Sequence, residues 1–167
     1  MDAAALRALQ APIKQRYRDD PGSARIPARA EARLGEGIAC SVRGWAGDVV
    51  AGLHPAAGGD GSQACSADML LEALVACAGV TLKSVATAMG VTLRNAVVRA
   101  EGNWDARGTL GVSRETPVGL TDIALTFELD TDADEPTRKR LVELTERYCV
   151  IYQTLRNPPA MSAGETA

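Results

Sequence analysis

The sequence is poor in aromatic residues and carries a single histidine, and both shortages narrow what the chain can be. Phe, Trp and Tyr make up 4% of its 167 residues, so the core has to be built mainly from Leu, Val, Ile and Ala. His54 stands beside Pro55 with no serine or carboxylate motif around it, which argues against a Ser-His-Asp hydrolase. No HExxH occurs, and the cysteines at 40, 65, 77 and 149 form no close ligand pairs, so no metal site is expected. None of them is spaced CxxC, which removes the simple thioredoxin pattern. The loop His54–Gly61 is rich in glycine but lacks both GxGxxG and a Lys followed by Ser or Thr. It reads as a flexible lead into the next helix rather than as a phosphate cradle, and no cofactor is implied.

Other absences concern partners and location. A formal charge of -3 offers no broad positive field, so no nucleic acid partner is expected. The first residues lack a basic segment followed by an apolar signal core, and no lipidation motif is present; the expected location is cytoplasmic. Four cysteines do not make a dense disulfide framework. In that compartment a pair that matters is redox-active rather than permanently closed. No long linker and no internal repeat divides the chain. The expected organisation is an N-terminal helical arm over residues 1–22, one domain over 23–157 and a flexible tail over 158–167.

The chain is organised around Ser66–Met89, which reads as one long helix. Ser66 is placed to cap it, Asp68 sits where the helix field favours a carboxylate, and Gly90 is placed to end it. Between Met69 and Leu82 the only charge is Glu72, so the segment is apolar nearly all round. It is too short and too interrupted by polar groups to read as a membrane span. A central helix enclosed by other elements is the expectation, with Cys77 in its middle.

Around it, Ala3–Tyr17 forms a helix with Leu6, Leu9 and Ile13 on one stripe, stopped by Asp19-Asp20-Pro21-Gly22. Weak alternation from Ile26 to Leu34, then Ile38–Arg43 and Val49–Ala51, suggests an antiparallel meander. Val91–Glu101 reads as a strand, with a turn at Asn103–Gly108 and a return at Thr109–Val112. Thr121–Asp130 is the cleanest strand, with Ile123, Leu125, Phe127 and Leu129 on its inward face. Asp134-Glu135-Pro136 opens a second helix whose stripe is Leu141, Leu144 and Tyr148. Cys149 follows it, and Val150–Leu155 is a further short apolar element.

Cysteine is the one residue type whose distribution points to chemistry. Cys77 in an apolar helix reads either as a small buried hydrophobe or as a reactive thiol, and Cys149 carries the same two readings. The two principal helices each present one of them, so helices lying face to face would bring the thiols together. Cys40, on a weak strand, and Cys65, in the approach to the central helix, look incidental.

Two segments carry a family resemblance: Ser66-Ala-Asp-Met-Leu-Leu-Glu-Ala-Leu-Val-Ala-Cys77 and Glu146-Arg-Tyr-Cys-Val-Ile-Tyr-Gln-Thr-Leu155. With their order and separation they resemble the OsmC/Ohr family of organic-hydroperoxide reductases, in its broader OsmC-like branch, over roughly Ile26–Leu155. The resemblance implies an α+β fold in which two antiparallel sheets wrap long central helices in an intertwined homodimer. It implies Cys77 as peroxidatic cysteine, attacking an organic hydroperoxide to become a sulfenic acid, and Cys149 as the resolving cysteine. A dithiol reductant, such as a protein-bound lipoyl group, would reopen the disulfide. Asp68 matches the helix-start carboxylate that orients a thiolate-stabilising arginine in peroxidase members. The chain departs from the pattern in having Asp68 for the usual Glu and Val150 for the proline that commonly follows the second cysteine. Arg25, Arg29, Arg33 and Arg43 lie in the early region, and no motif selects one of them as the arginine. The alternative is a non-catalytic, dimeric OsmC-like binding or stress-response protein.

Overall fold

The computed structural model describes residues 1–45 and 47–165. Its elements run α1 (Ala3–Asp19), β1 (Glu31–Leu34), β2 (Ala39–Gly44), β3 (Gly47–Gly52), α2 (Ser66–Met89), β4 (Asn95–Asn103), α3 (Ala106–Thr109), β5 (Thr121–Asp130), α4 (Glu135–Tyr148) and α5 (Val150–Arg156). The order mixes helices with antiparallel pairing, an α+β arrangement. The chain divides into two compact units, Met1–Arg7 with Ala73–Arg99 and Thr126–Ala167, and Ala8–Glu72 with Ala100–Leu125. Four elements, α1, α2, β4 and β5, have residues in both.

The first unit holds an apolar core cluster. Leu82, Val85 and Ala86 of α2 meet Leu141 of α4, and Val98 of β4 with Phe127 and Leu129 of β5 pack against them. Leu141 is fully buried and Leu82 is 2% exposed, each burial contributing about 2 kcal/mol or more. The inward alternation of β5 is as the sequence indicates, with Asp122, Thr126, Glu128 and Asp130 outward. Antiparallel pairing of β4 with β5 follows from opposite ends meeting: Arg94 N–H donates to the Asp130 carbonyl at 2.9 Å, while the Thr121 hydroxyl donates to the Asn103 carbonyl at 3.2 Å. The Arg94 guanidinium also bonds Asp130 and Asp132, and these two carboxylates raise its pKa further.

Gly90 ends α2 as its position indicates. Its φ is +72°, Val91 N–H donates to the Ala86 carbonyl at 2.9 Å, and Gly90 N–H donates to the Thr87 carbonyl at 3.2 Å. A Cβ at Gly90 meets nothing within 4 Å, so only the left-handed backbone opposes substitution. Gly90→Ala is therefore expected to lower stability by about 1 kcal/mol and Gly90→Asn by less, measured as urea midpoints at one protein concentration. Equal, negligible shifts in both variants would show that the helix end carries no such constraint. At the other end, Ser66 is the first helical residue, and the Cys65 carbonyl accepts Met69 N–H at 3.0 Å.

In the second unit β1, β2 and β3 form an antiparallel meander with Leu34 opposite Cys40 and Cys40 opposite Ala51. The first strand is shorter than the alternation from Ile26 suggests: Arg and Ala alternate there, but alanine gains too little by burial to fix a strand. Instead of the expected return strand over Thr109–Val112, a helical turn over Ala106–Thr109 runs into a non-helical turn. Asp105 caps the helical turn by accepting Arg107 N–H at 2.9 Å, and Gly111 follows it at φ +69°. In α1, Leu9 is 57% exposed and Ile13 39%, so the apolar stripe lacks cover.

By length and composition α2 is apolar enough to cross a membrane, more so than its polar interruptions suggest. Only 22% of its most apolar window is buried, so one chain does not enclose it. Leu74, Ala78, Leu82, Val85 and Ala86 face inward, whereas Leu70, Ala73, Ala76 and Val80 form an exposed apolar stripe.

Candidate active site

Cys77 and Cys149 lie in the same unit, and each thiol acts on the ionisation of the other, which places the two sulfurs near each other. Both are free thiols; Cys77 is half-buried and Cys149 has no exposed surface. The buried face of α4 brings Cys149 there. Leu141, Thr145 and Cys149 recur every four residues, all fully buried, while Tyr148, expected on the stripe, is 59% exposed. The buried Thr145 hydroxyl is satisfied by donating to the Leu141 carbonyl at 2.8 Å.

Cys149 is also a corner. Its N–H donates to the Thr145 carbonyl at 2.9 Å and closes α4; its carbonyl accepts Gln153 N–H at 3.0 Å and opens α5. Its sulfur caps α5 by accepting Tyr152 N–H at 3.4 Å. Cysteine is not among the usual capping residues, so this double role carries no signal in residue type. A proline at 150 is compatible with the first position of such a helix, and Val150 occupies it without breaking the geometry.

The surroundings split the two thiols electrostatically. Burial raises the Cys77 pKa, but the Ile151 amide, the Cys149 thiol, the Val150 amide and Thr81 outweigh it, and the net shift is downward. Burial pushes the Cys149 thiol up, and the negative charge at Cys77 adds to the rise against the Tyr152 and Ile151 amides. Cys77 is thus the thiol that ionises first, with Cys149 its protonated donor. Such a pair can form and reopen a disulfide.

Asp68 stands apart from this pair. It is exposed, and among the described residues it forms no salt bridge. Nine residues along α2 place it about 13 Å from Cys77 along the axis and half a turn round it. Among the described residues, the groups acting on Cys77 include no arginine, and Arg33 bonds Glu31 at 2.9 Å on the exposed first strand. The Cys77 pKa is held down here by amides and a thiol, a source that motif reading missed because backbone donors leave no trace in residue type.

The second unit contains a separate cavity of about 330 Å³, lined by His54, Cys65, Leu70, Trp104, Val118 and Leu120 among others. The His54 ring meets Trp104 edge to face at 5.4 Å, and its Nδ1 accepts Ala56 N–H at 3.0 Å, which places the proton of the neutral ring on Nε2. No metal-competent cluster of His, Cys, Asp or Glu occurs among the described residues.

Comparison with known proteins agrees with this architecture. A family model described as OsmC-like protein matches residues 59–163, which include both cysteine segments. The fold is similar to that of an OsmC-like protein from Mycoplasma pneumoniae, with 20% identity, TM-score 0.67, and coverage of 80% of this chain and 89% of the other. An organic hydroperoxide resistance protein OsmC from Legionella pneumophila aligns with 18% identity and TM-score 0.63 over 79% of this chain and 90% of its own. The organic hydroperoxide resistance protein OhrB of Bacillus subtilis aligns with 19% identity and TM-score 0.55 over 80% and 93%. No curated protein gives a significant sequence match. The match over 59–163 and the shared fold establish that the chain belongs to the OsmC-like protein family.

Proposed function

We propose that the protein is a thiol-dependent peroxidase that reduces organic hydroperoxides. The observation that carries this reading is the proximity of two free thiols that act on each other's ionisation, one on α2 and one at the α4–α5 corner. The Cys77 thiolate attacks the distal peroxide oxygen; the S–O bond forms, the O–O bond breaks, and the alkoxide takes a proton from solvent to leave as alcohol. The Cys149 sulfur then attacks the Cys77 sulfenic acid, forming the disulfide and releasing water. A dithiol reductant, such as a lipoyl protein, reopens it by exchange. Apolar neighbours on α2 favour organic over hydrogen peroxide. A cytoplasmic setting, which keeps thiols reduced between turnovers, suits this cycle.

Titration with cumene hydroperoxide tests the reading. Two thiols per chain should disappear with one equivalent of peroxide, and tert-butyl hydroperoxide should act likewise. Unreacted thiols would favour a non-catalytic dimeric binding protein, a reading to which the cavity at His54 and Cys65 lends an alternative site. The pH dependence is a second check. Because Cys77 is lowered and Cys149 raised, alkylation of Cys77 by iodoacetamide should reach half its maximal rate at a lower pH than alkylation of Cys149. A Cys77 midpoint at or above that of Cys149 contradicts the assigned order of ionisation.

Assembly belongs to the same proposal. The exposed stripe of Leu70, Ala73, Ala76 and Val80 needs cover, and a second copy of α2 supplies it. Light scattering at low micromolar concentration should give twice the chain mass, and Val80→Glu should weaken the dimer; a compact wild-type monomer would contradict this. Asp68 enters as an orienting carboxylate for an arginine of the second chain. Asp68→Asn should then slow the first oxidation about tenfold, whereas an unchanged rate removes Asp68 from the site.

A further inference from the structure

The Cys149 corner is tied by side-chain hydrogen bonds that converge on Glu146. Gln153 Nε2–H donates to the Glu146 backbone carbonyl at 2.9 Å, and the Tyr152 hydroxyl donates to the Glu146 carboxylate at 3.3 Å. Arg156 Nη1–H supports the Tyr152 hydroxyl at 3.1 Å, and Asn157 Nδ2–H supports Gln153 Oε1 at 3.3 Å. In a continuing helix the Glu146 carbonyl would accept the amide of residue 150. The chain leaves the helical path at Cys149, with ψ 109°, and the Gln153 side chain takes that place. The replacement donor comes from the following helix, so it fixes the direction of α5 relative to α4, with Cys149 at the vertex.

We propose that Gln153, assisted by Tyr152, is a positioning residue for the resolving step, holding the α4–α5 corner so that the Cys149 thiol stays against Cys77. The assignment rests on the peroxidase reading. Resolution requires the Cys149 sulfur to approach Cys77 to the disulfide length of about 2.05 Å, on the line of attack opposite the departing hydroxyl. A corner clamped from both of its helices spends more of its time within reach of that geometry than one held only by the chain. The first oxidation does not need the Cys149 sulfur to move. Losing the clamp therefore acts on the second step.

Single-turnover oxidation with cumene hydroperoxide at about pH 9.5, above the free-thiol value, limits the effect of any change in Cys77 ionisation and separates the steps. In Gln153→Leu, which keeps the bulk and loses the donor, Cys77 should be oxidised within about twofold of the wild-type rate, while the sulfenic acid trapped by dimedone should persist about tenfold longer. With excess peroxide that variant should accumulate sulfinic acid at Cys77. Gln153→Lys, which retains a donor for the Glu146 carbonyl, should restore rapid disulfide formation. Tyr152→Phe, the milder change, should lengthen the sulfenic lifetime less and serves if Gln153→Leu folds poorly. Disulfide formation at the wild-type rate in Gln153→Leu or, should that variant not fold, in Tyr152→Phe overturns the proposal. So does equal slowing in the Leu and Lys variants. Failure of the peroxidase reading itself is distinguishable, because the wild type would then show no oxidation of Cys77.

Discussion

Cys77→Ser is expected to abolish the reaction with organic hydroperoxide, whereas Cys149→Ser is expected to complete one rapid reduction and then stall. The asymmetry follows from the split between the thiols. Cys77 is the half-buried sulfur whose charge is favoured by the Ile151 and Val150 amides and by the Cys149 thiol; Cys149 is wholly buried, and its thiolate is opposed by burial and by Cys77. A serine hydroxyl at 77 is not ionised under the same conditions, so the first-turnover rate should fall on the order of a thousandfold or more. In Cys149→Ser the first reduction should persist, slowed only as far as loss of the Cys149 donor raises the Cys77 pKa. Sulfenic acid should then remain on Cys77, trappable with dimedone, and recycling by a dithiol should be lost. Stopped-flow kinetics with intact-mass analysis reads both. If Cys149→Ser loses the first reduction while Cys77→Ser keeps it, the two roles are exchanged. If both variants keep it, neither thiol is the nucleophile.

The second large effect is expected at Leu141, far from any reacting atom. Its side chain is fully buried between α4 and the Leu82, Val85 and Ala86 face of α2, two turns before Cys149 on the same stripe. Truncation to alanine removes buried methyl groups and leaves a cavity, which costs about 3 kcal/mol, a large share of the stability of a domain this size. It also loosens the contact that sets α4 against α2. Leu141→Ala should therefore lower the urea midpoint strongly at fixed protein concentration and slow disulfide formation. Glu143→Ala on the exposed face should change the midpoint by less than about 0.5 kcal/mol. A cost below about 1 kcal/mol for Leu141→Ala would mean that this cluster is not the main core of its unit.

How much of this was legible in the sequence depends on how strongly each segment is patterned. The bounds of α2 and β5 were legible because a long apolar run ending at Gly90 and a strict alternation of period two each have one reading. The first strand and the segment after Trp104 were not: alanine-arginine alternation is energetically weak, and a capping aspartate turned Thr109 into a helical turn. The stripe of α4 was misread at one position for a related reason. Tyr148 is apolar enough to attract the assignment, yet the four-residue spacing through Thr145 to Cys149 decides the face, and a threonine can take the buried place because its hydroxyl bonds the Leu141 carbonyl. The cysteine pair was legible as two residues on two helices. That facing helices bring the thiols together was legible too; the corner at Cys149, where a thiol caps a helix and the Gln153 side chain replaces a backbone donor, was not. Backbone amides acting on Cys77 leave no signature in residue type, whereas the family resemblance points to an arginine.

The most direct test of the account is peptide mapping of the protein after one equivalent of cumene hydroperoxide under non-reducing conditions. The account predicts a single new linkage, Cys77 to Cys149 within one chain, with Cys40 and Cys65 still free and the linkage lost on treatment with dihydrolipoamide. A protein in which Cys40 and Cys65 are oxidised while Cys77 and Cys149 remain reduced would contradict it.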